Sequence, residues 1–497
     1  MSNVRVTYSG LISFLVSVVG LITGTIFVVI VTRQLSPEDF GLWTLIGSLV
    51  SYVTIVNPIV TYWTTRQIAR GEEVGKTALS TNTLFSIGGL LVYSIIAVGV
   101  SFTLEVDLFV LLLAAGLIPT IFLENILNSI ALGYKPQSVS YGIVMFESAK
   151  IPLGFTLVVF MELGIIGAII TSIVASLLKI ILLVILTREK LIGKIKRDVI
   201  KFWLRLSWLT LYMSVFGFIR RLDVLFFSFV TGSLIGVAYF GASIAATNLV
   251  MYSSRISQGL YPKLLATGKK EFAEENLKRI MYFAIPILGG TIIFAKPILH
   301  VLNPIYVDGT FIVIILAWRS FLAILMGFSL NVIESYEKID IDKQASFKQF
   351  VKSKLFLVPT LNLIHSGIYM GALVIFLGLI TSEMTDVYTV TIWAFIFFVV
   401  YIPFVVYGLV FINKNYKIKL PSIHIVKYVF ATIISVIIIY FITENTLQYP
   451  QSIFDFLPQI IPLVVLGACF YFAITYVIDE STRLFFKSII NEIKRKW

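Results

Sequence analysis

Fourteen separate runs of mostly apolar residues divide this chain, and no other feature restricts its fold as much. A helix that crosses the hydrocarbon of a bilayer needs about twenty such residues, and it satisfies its backbone hydrogen bonds within itself. The runs lie at 8–32, 40–62, 80–103, 108–133, 141–160, 163–187, 203–230, 235–257, 280–302, 309–334, 355–380, 388–412, 423–443 and 457–478. The expected fold is therefore an all-α polytopic membrane protein with about fourteen transmembrane helices. Composition agrees: 58% of the 497 residues are hydrophobic and 13% are charged, against roughly 45–50% and about 25% in soluble domains. The least regular runs are 235–257, rich in Ser, Ala and Gly, and 40–62, which holds Asn57 and Pro58.

The charges then orient the chain. If the runs alternate in direction, thirty-two of the 39 Lys and Arg fall on one side, including the cluster Arg188–Arg205 and the tail Lys494, Arg495, Lys496. The other side holds Arg33 and Lys296 with acids such as Glu105, Asp107, Asp386 and Asp455. Cytoplasmic loops carry the cation excess, so both termini are expected in the cytoplasm of a cell with this protein in its plasma membrane. The net charge of +12 then needs anionic headgroups of membrane lipids and no nucleic acid. The first run is too long for a signal-peptide core and has no A-x-A site, so it reads as an uncleaved span. The 258–279 segment is expected to form a short amphipathic helix between two halves. The pair Trp203 and Trp208 reads as an interfacial anchor, and His365 as a packing residue within its span.

Several chemistries have no footing here. Cys469 is the single cysteine, and His300, His365 and His424 are widely separated, so neither a disulfide framework nor a metal site is expected. No P-loop pattern occurs, and no cofactor is implied. The outer-loop acids lack the paired arrangement that glycosyl chemistry uses, so the chain is not expected to be an enzyme.

Two stretches repeat. Leu35–Trp43 (LSPEDFGLW) and Val230–Tyr239 (VTGSLIGVAY) align Ser36 with Thr231 and Gly41 with Gly236. Leu127-Asn128-x-Ile130 before Lys135 is echoed by Leu330-Asn331-x-Ile333 before Lys338. Six spans separate the copies, which implies two six-helix bundles related by a pseudo-two-fold axis along the membrane normal. The expected divisions are 1–200 and 201–415 for the bundles and 416–497 for two extra helices and a basic tail.

The stretch Val31–Val50, the run Arg220-Arg221-Leu222-Asp223 followed by Gly232, Gly236 and Tyr239, and Leu127–Pro136 with its Lys-Pro turn resemble the oligosaccharide-flippase and polysaccharide-export branch of the multidrug/oligosaccharidyl-lipid/polysaccharide (MOP) superfamily, which includes the O-antigen flippases. The resemblance spans the whole chain and implies an alternating-access carrier of polyprenyl-linked sugars. A polymerase or transferase of the same pathway is the partner it suggests. Two other functions stand beside it: a cation-coupled multidrug exporter of the same superfamily, and a membrane polysaccharide polymerase, ligase or glycosyltransferase.

Charges within the runs supply the candidate site. Lys150, Lys179, Arg220, Arg221 and Arg319 face three acids, Glu124, Glu147 and Asp223. Glu147 with Lys150, and Arg220 with Asp223, are three apart and share a helix face. Such pairs also serve as self-neutralising packing contacts. Arg220, Arg221, Arg319 and Lys179 are the candidates for a lipid pyrophosphate headgroup, since guanidinium forks bind phosphate bidentately. Asp223, Glu147, Lys150 and Glu124 are charge partners or coupling groups, and Asn125 and Asn128 are candidates for a polar cavity.

Overall fold

The computed structural model describes residues 20, 23–254, 270–337, 349, 351–380, 384–484 and 486–487. Most of the first run, the 258–269 part of the connecting segment, Lys338 and the basic tail lie outside the described residues. The described chain is helical, with eleven helices long and apolar enough to span a membrane, or twelve if one bent pair is a single span. The other two expected runs are the first, of which a helix over 23–34 (α1) is described, and the seventh. The seventh is the helix Ser207–Thr231, whose charge at Arg220, Arg221 and Asp223 sets it apart from the apolar spans.

The chain forms two compact units, Met1–Gly241 with Ser366–Asp386, and Ala242–His365 with Val387–Trp497. In the first unit, α2 (Pro37–Val53) starts on an N-cap: Ser36 Oγ accepts from the Asp39 amide at 3.0 Å, with Pro37 at the first helical position. The acids Glu38 and Asp39 sit in the first turn, where they suit the helix dipole. A short tight turn over Thr54–Val56 ends α2, and Pro58, which has no N–H to donate, opens α3 (Pro58–Ala69). The expected single run 40–62 is thus two helices joined at Asn57.

The long helix α4 (Gly75–Leu104) ends at Glu105, whose φ is 53°. The expected run 108–133 breaks at Ala115–Gly116 into α5 (Leu108–Ala114) and α6 (Leu117–Tyr134). α7 (Gln137–Gly154) carries Pro152 and finishes in a π-helical stretch, Phe155–Phe160. It is followed by α8 (Gly164–Leu191), the short α9 (Arg197–Arg205), α10 (Ser207–Thr231) and α11 (Leu234–Tyr252). α6 packs on α3, α4 and α8. Gly133 makes the α3 crossing close, since a Cβ there would lie 2.8 Å from the Thr65 carbonyl oxygen. Small residues admit such approaches between membrane helices.

Two expectations change at α9 and α11. Trp203 is only 1% exposed and donates from Nε1 to Gln67 Oε1 at 2.9 Å, so it is a buried contact of α9 with α3 rather than a headgroup anchor; Trp208 is 41% exposed. In the second copy of the repeat it is Ser233 whose Oγ accepts from the Gly236 amide, at 2.9 Å. The capping serines therefore match Ser36 to Ser233, two residues beyond the Thr231 that the sequence alignment pairs with it.

The second unit is built on α12 (Lys270–Ile293), α13 (Ala295–Leu302), α14 (Thr310–Ser335), α16 (Asp386–Val399), α17 (Tyr401–Tyr416), α18 (Ser422–Thr446) and α19 (Ile453–Ile478), with α11 and α15 (Lys354–Leu377) each divided between the units. Residues 270–279 are the first turns of α12 itself, not a separate amphipathic helix. α12 and α13 meet at a 70° bend, where Pro297 cannot supply an amide to the turn before it. α12 packs on α14 and α18, α14 on α17, and α18 on α19. Gly289 lies against Thr432 and Gly408 against Ser329 at these crossings.

Candidate functional site

The first unit resolves most of the charge set in its membrane interior. Lys179 on α8, which has no acid within reach along its own helix, meets Glu124 on α6 at 2.7 Å. On α7, Lys150 pairs with Glu147 at 2.8 Å, and Thr23 Oγ1 donates to the same carboxylate at 2.8 Å. The Phe146 ring lies close to both ammonium groups, 4.9 Å from Lys150 Nζ and 5.7 Å from Lys179 Nζ. Phe27 faces Lys150 from α1 at 5.2 Å. Each cation thus has a carboxylate and an aromatic face, which offsets its transfer from water. Lys179 therefore leaves the set of candidate headgroup ligands without an acid and joins the paired groups.

α10 carries the remaining charge of this unit. Asp223 is 5% exposed; its Oδ2 accepts from the Tyr369 hydroxyl at 2.6 Å, and its Oδ1 from the Val224 amide at 2.8 Å. The Tyr52 hydroxyl donates to the Arg221 carbonyl, tying α2 to the middle of α10. Arg220 is half-buried and Arg221 is exposed. A guanidinium within a span is costly in hydrocarbon unless it faces a cavity or a partner.

Arg319, in the second unit, is held differently. Its guanidinium lies 3.9 Å from the Phe397 ring centre and 4.8 Å from that of Tyr401, and donates to the Tyr401 hydroxyl at 3.2 Å. His365 is 2% exposed and sets its ring edge-on to Tyr401 and Phe404, at 4.2 and 5.1 Å.

Asn125 and Asn128 both line a cavity of about 410 Å³ in the first unit, together with Thr54, Asn57, Thr61 and Ser129. Asn57 stands at the break between α2 and α3 and is 5% exposed, and neither its amide nitrogen nor its amide oxygen has a hydrogen-bond partner among the described residues. Asn128 Oδ1 is in the same position. The walls are fixed to each other where Thr65 Oγ1 donates to the Ser129 carbonyl at 3.1 Å. Asn57 escapes a reading by composition, because one Asn-Pro step in an apolar run registers as a weak span; its signal is the helix break that Pro58 imposes.

A second feature that sequence reasoning missed lies just past α19. Asp479 is 0% exposed. Its Oδ1 meets His424 Nδ1 at 2.9 Å and Lys427 Nζ at 3.3 Å; its Oδ2 accepts from the Tyr428 hydroxyl at 3.2 Å, the Thr482 amide at 3.1 Å and the Thr482 hydroxyl at 3.0 Å. Burial by itself raises the carboxyl, but the Thr482 and His424 hydrogen bonds, the His424 charge and Lys427 outweigh it and hold Asp479 below the ordinary range. Beside it, Tyr471 donates to the Tyr282 carbonyl at 2.7 Å. The group fastens α19 to α18 and α12.

The fold is similar to those of three solved membrane transporters. The lipid II flippase MurJ, in an inward closed conformation, matches with a TM-score of 0.66 at 14% identity, over 97% of this chain and 100% of that one. An inward-facing multidrug resistance MATE family transporter of the MOP superfamily matches with a TM-score of 0.56 at 14% identity, over 80% of this chain and 96% of that one. A mutant of the Vibrio cholerae MATE transporter VcmN matches with a TM-score of 0.51 at 12% identity, over 83% and 99%. No protein-family model and no curated protein matches the sequence.

Proposed function

We propose that the protein is a flippase that carries a polyprenyl-(pyro)phosphate-linked oligosaccharide from the cytoplasmic to the outer leaflet by alternating access, for the assembly of a cell-surface polysaccharide or glycoprotein. The observation that carries this reading is the adjacent pair Arg220 and Arg221 midway along α10. Two guanidinium groups at that depth suit a large phosphate anion, which they bind through paired N–H donors without losing charge. The end-to-end likeness in fold to a lipid II flippase supports the same reading. Arg319 then has a supporting part, its guanidinium already engaged by Phe397 and Tyr401. The protein sits in the plasma membrane with both termini in the cytoplasm, and a polymerase or transferase consumes its product.

The likeness to MATE transporters favours a second reading, export of organic cations. That substrate needs an accessible carboxylate, and Asp223 is buried and bonded to Tyr369.

The test is depletion of the protein in its host, followed by extraction of lipid-linked sugars and assignment of their leaflet. Complete oligosaccharide held on the cytoplasmic face is the expected result. Normal transfer with unpolymerised sugar outside means an enzyme, and unchanged lipid-linked sugar means an exporter of another solute.

A further inference from the structure

The Asn57 cavity of the first unit has no part in binding a phosphate. None of the residues that line it carries a charge. Its hydroxyls spend their protons on their own helices: Thr54 Oγ1 donates to the Ser51 carbonyl at 3.3 Å, Thr61 Oγ1 to the Asn57 carbonyl at 3.1 Å, and Ser129 Oγ to the Asn125 carbonyl at 2.8 Å. What these hydroxyls offer a ligand is therefore oxygen lone pairs. The asparagines offer both kinds of group, because a carboxamide has two N–H donors and a carbonyl acceptor. A buried amide left without partners costs about 1–3 kcal/mol, and Asn57 has both of its polar atoms in that state among the described residues. At about 410 Å³ the space lies in the ordinary range for small-molecule sites, roughly 300–1,000 Å³, and it far exceeds what a bare cation fills.

We infer that this cavity is a binding site for one uncharged sugar ring, with Asn57, Asn125 and Asn128 reading its hydroxyl or acetamido groups. Alternating donors and acceptors without charge match a polyol, whose every hydroxyl both gives and takes a hydrogen bond. An anionic sugar finds no cation there, and a metal ion finds no carboxylate. Leu132 and Val139 on the wall supply the apolar surface against which the C–H face of a ring packs. The inference rests on the flippase reading and assigns part of the substrate to a place: the glycan on the asparagine wall, the phosphates on α10.

The full-length protein in lipid nanodiscs provides the test. Leu132, 53% exposed, is replaced by cysteine in a Cys469→Ser background, since Cys469 is the native thiol and is exposed. Alkylation of the new thiol is then followed against increasing methyl glycosides of glucose and N-acetylglucosamine, with glucuronic acid and sodium chloride as comparisons. The expected result is protection by the neutral glycosides alone. Asn57→Leu should raise the half-protecting concentration by about tenfold or more, the loss of one well-made polar contact. Should Asn57→Leu not fold, Asn128→Leu and Thr61→Val carry the same test. Equal alkylation with and without every sugar overturns the inference, as does protection by sodium chloride alone. Either failure leaves the leaflet assay free to succeed. Protection by sugar together with normal leaflet distribution after depletion would instead overturn the flippase reading.

Discussion

The first unit places charge deep within its spans, in Glu124–Lys179, Glu147–Lys150 and the run Arg220–Asp223 on α10. The second gives Arg319 an aromatic cage, and concentrates polar bonding on Asp479, beyond the end of α19. Both arrangements obey one rule, that a charge removed from water must find a partner. They differ in consequence. Pairs inside a span cost desolvation that apolar residues would avoid, so they mark a region where polarity is retained for a reason other than stability. A carboxylate with five hydrogen bonds at the membrane's edge fastens helices together. On the proposed function, substrate handling falls to the first unit and mechanical support to the second.

The largest expected effect comes from breaking one partner of a buried pair. Lys179→Met leaves Glu124 without its cation and should destabilise the protein by about 3–5 kcal/mol, whereas Lys179→Met with Glu124→Met should recover most of the loss. Thermal unfolding in detergent distinguishes the two. A double variant as unstable as the single one would remove the argument that the pair is there for function.

Asp479→Ala should cost about 3 kcal/mol, because His424, Lys427, Tyr428 and Thr482 all lose their shared acceptor. Its pH dependence has a fixed sign. A carboxyl held low in the folded state stabilises fully above its unfolded value, and that contribution disappears as pH falls through the lower folded value. Melting temperature should therefore fall more steeply in strong acid for the native protein than for Asp479→Ala; parallel curves would show that Asp479 is not the group responsible.

Gly41→Ala tests the close packing of the first unit. The added Cβ would lie 2.0 Å from the Leu234 carbonyl oxygen, and the backbone shift it forces should cost about 1–3 kcal/mol. Gly47→Ala, where the space is open, is the matching control. The smallest effect is expected for Phe397→Leu, which removes one face of the Arg319 cage and should cost about 0.5–2 kcal/mol in the same unfolding measurement.

Much of this was legible in the sequence, because membrane spans are written locally. The run 163–187 became α8 (Gly164–Leu191) and 423–443 became α18 (Ser422–Thr446). Glu147–Lys150 was legible for the same reason, since i,i+3 spacing on a helix fixes the contact. Lys179–Glu124 was not: the partners are 55 residues apart in sequence, and only the packing of α6 on α8 brings them together. Asp479 was hidden in the same way, since its donors come from α18 and from the turn after α19. Asn125 and Asn128 were visible as polar residues on a span, but the cavity they line depends on Asn57 and the break at Pro58.

The central claim, that the first unit holds the headgroup of a lipid-linked sugar, is tested most directly in proteoliposomes loaded with a polyprenyl-pyrophosphate-linked oligosaccharide. Transfer between leaflets would be compared for the native protein, Arg220→Gln with Arg221→Gln, and Arg319→Gln, each shown to be folded. Loss of transfer by about tenfold or more in the α10 variant, with transfer largely kept in Arg319→Gln, is the result predicted. Transfer undiminished by the α10 substitutions, or lost equally in all variants, would contradict the account.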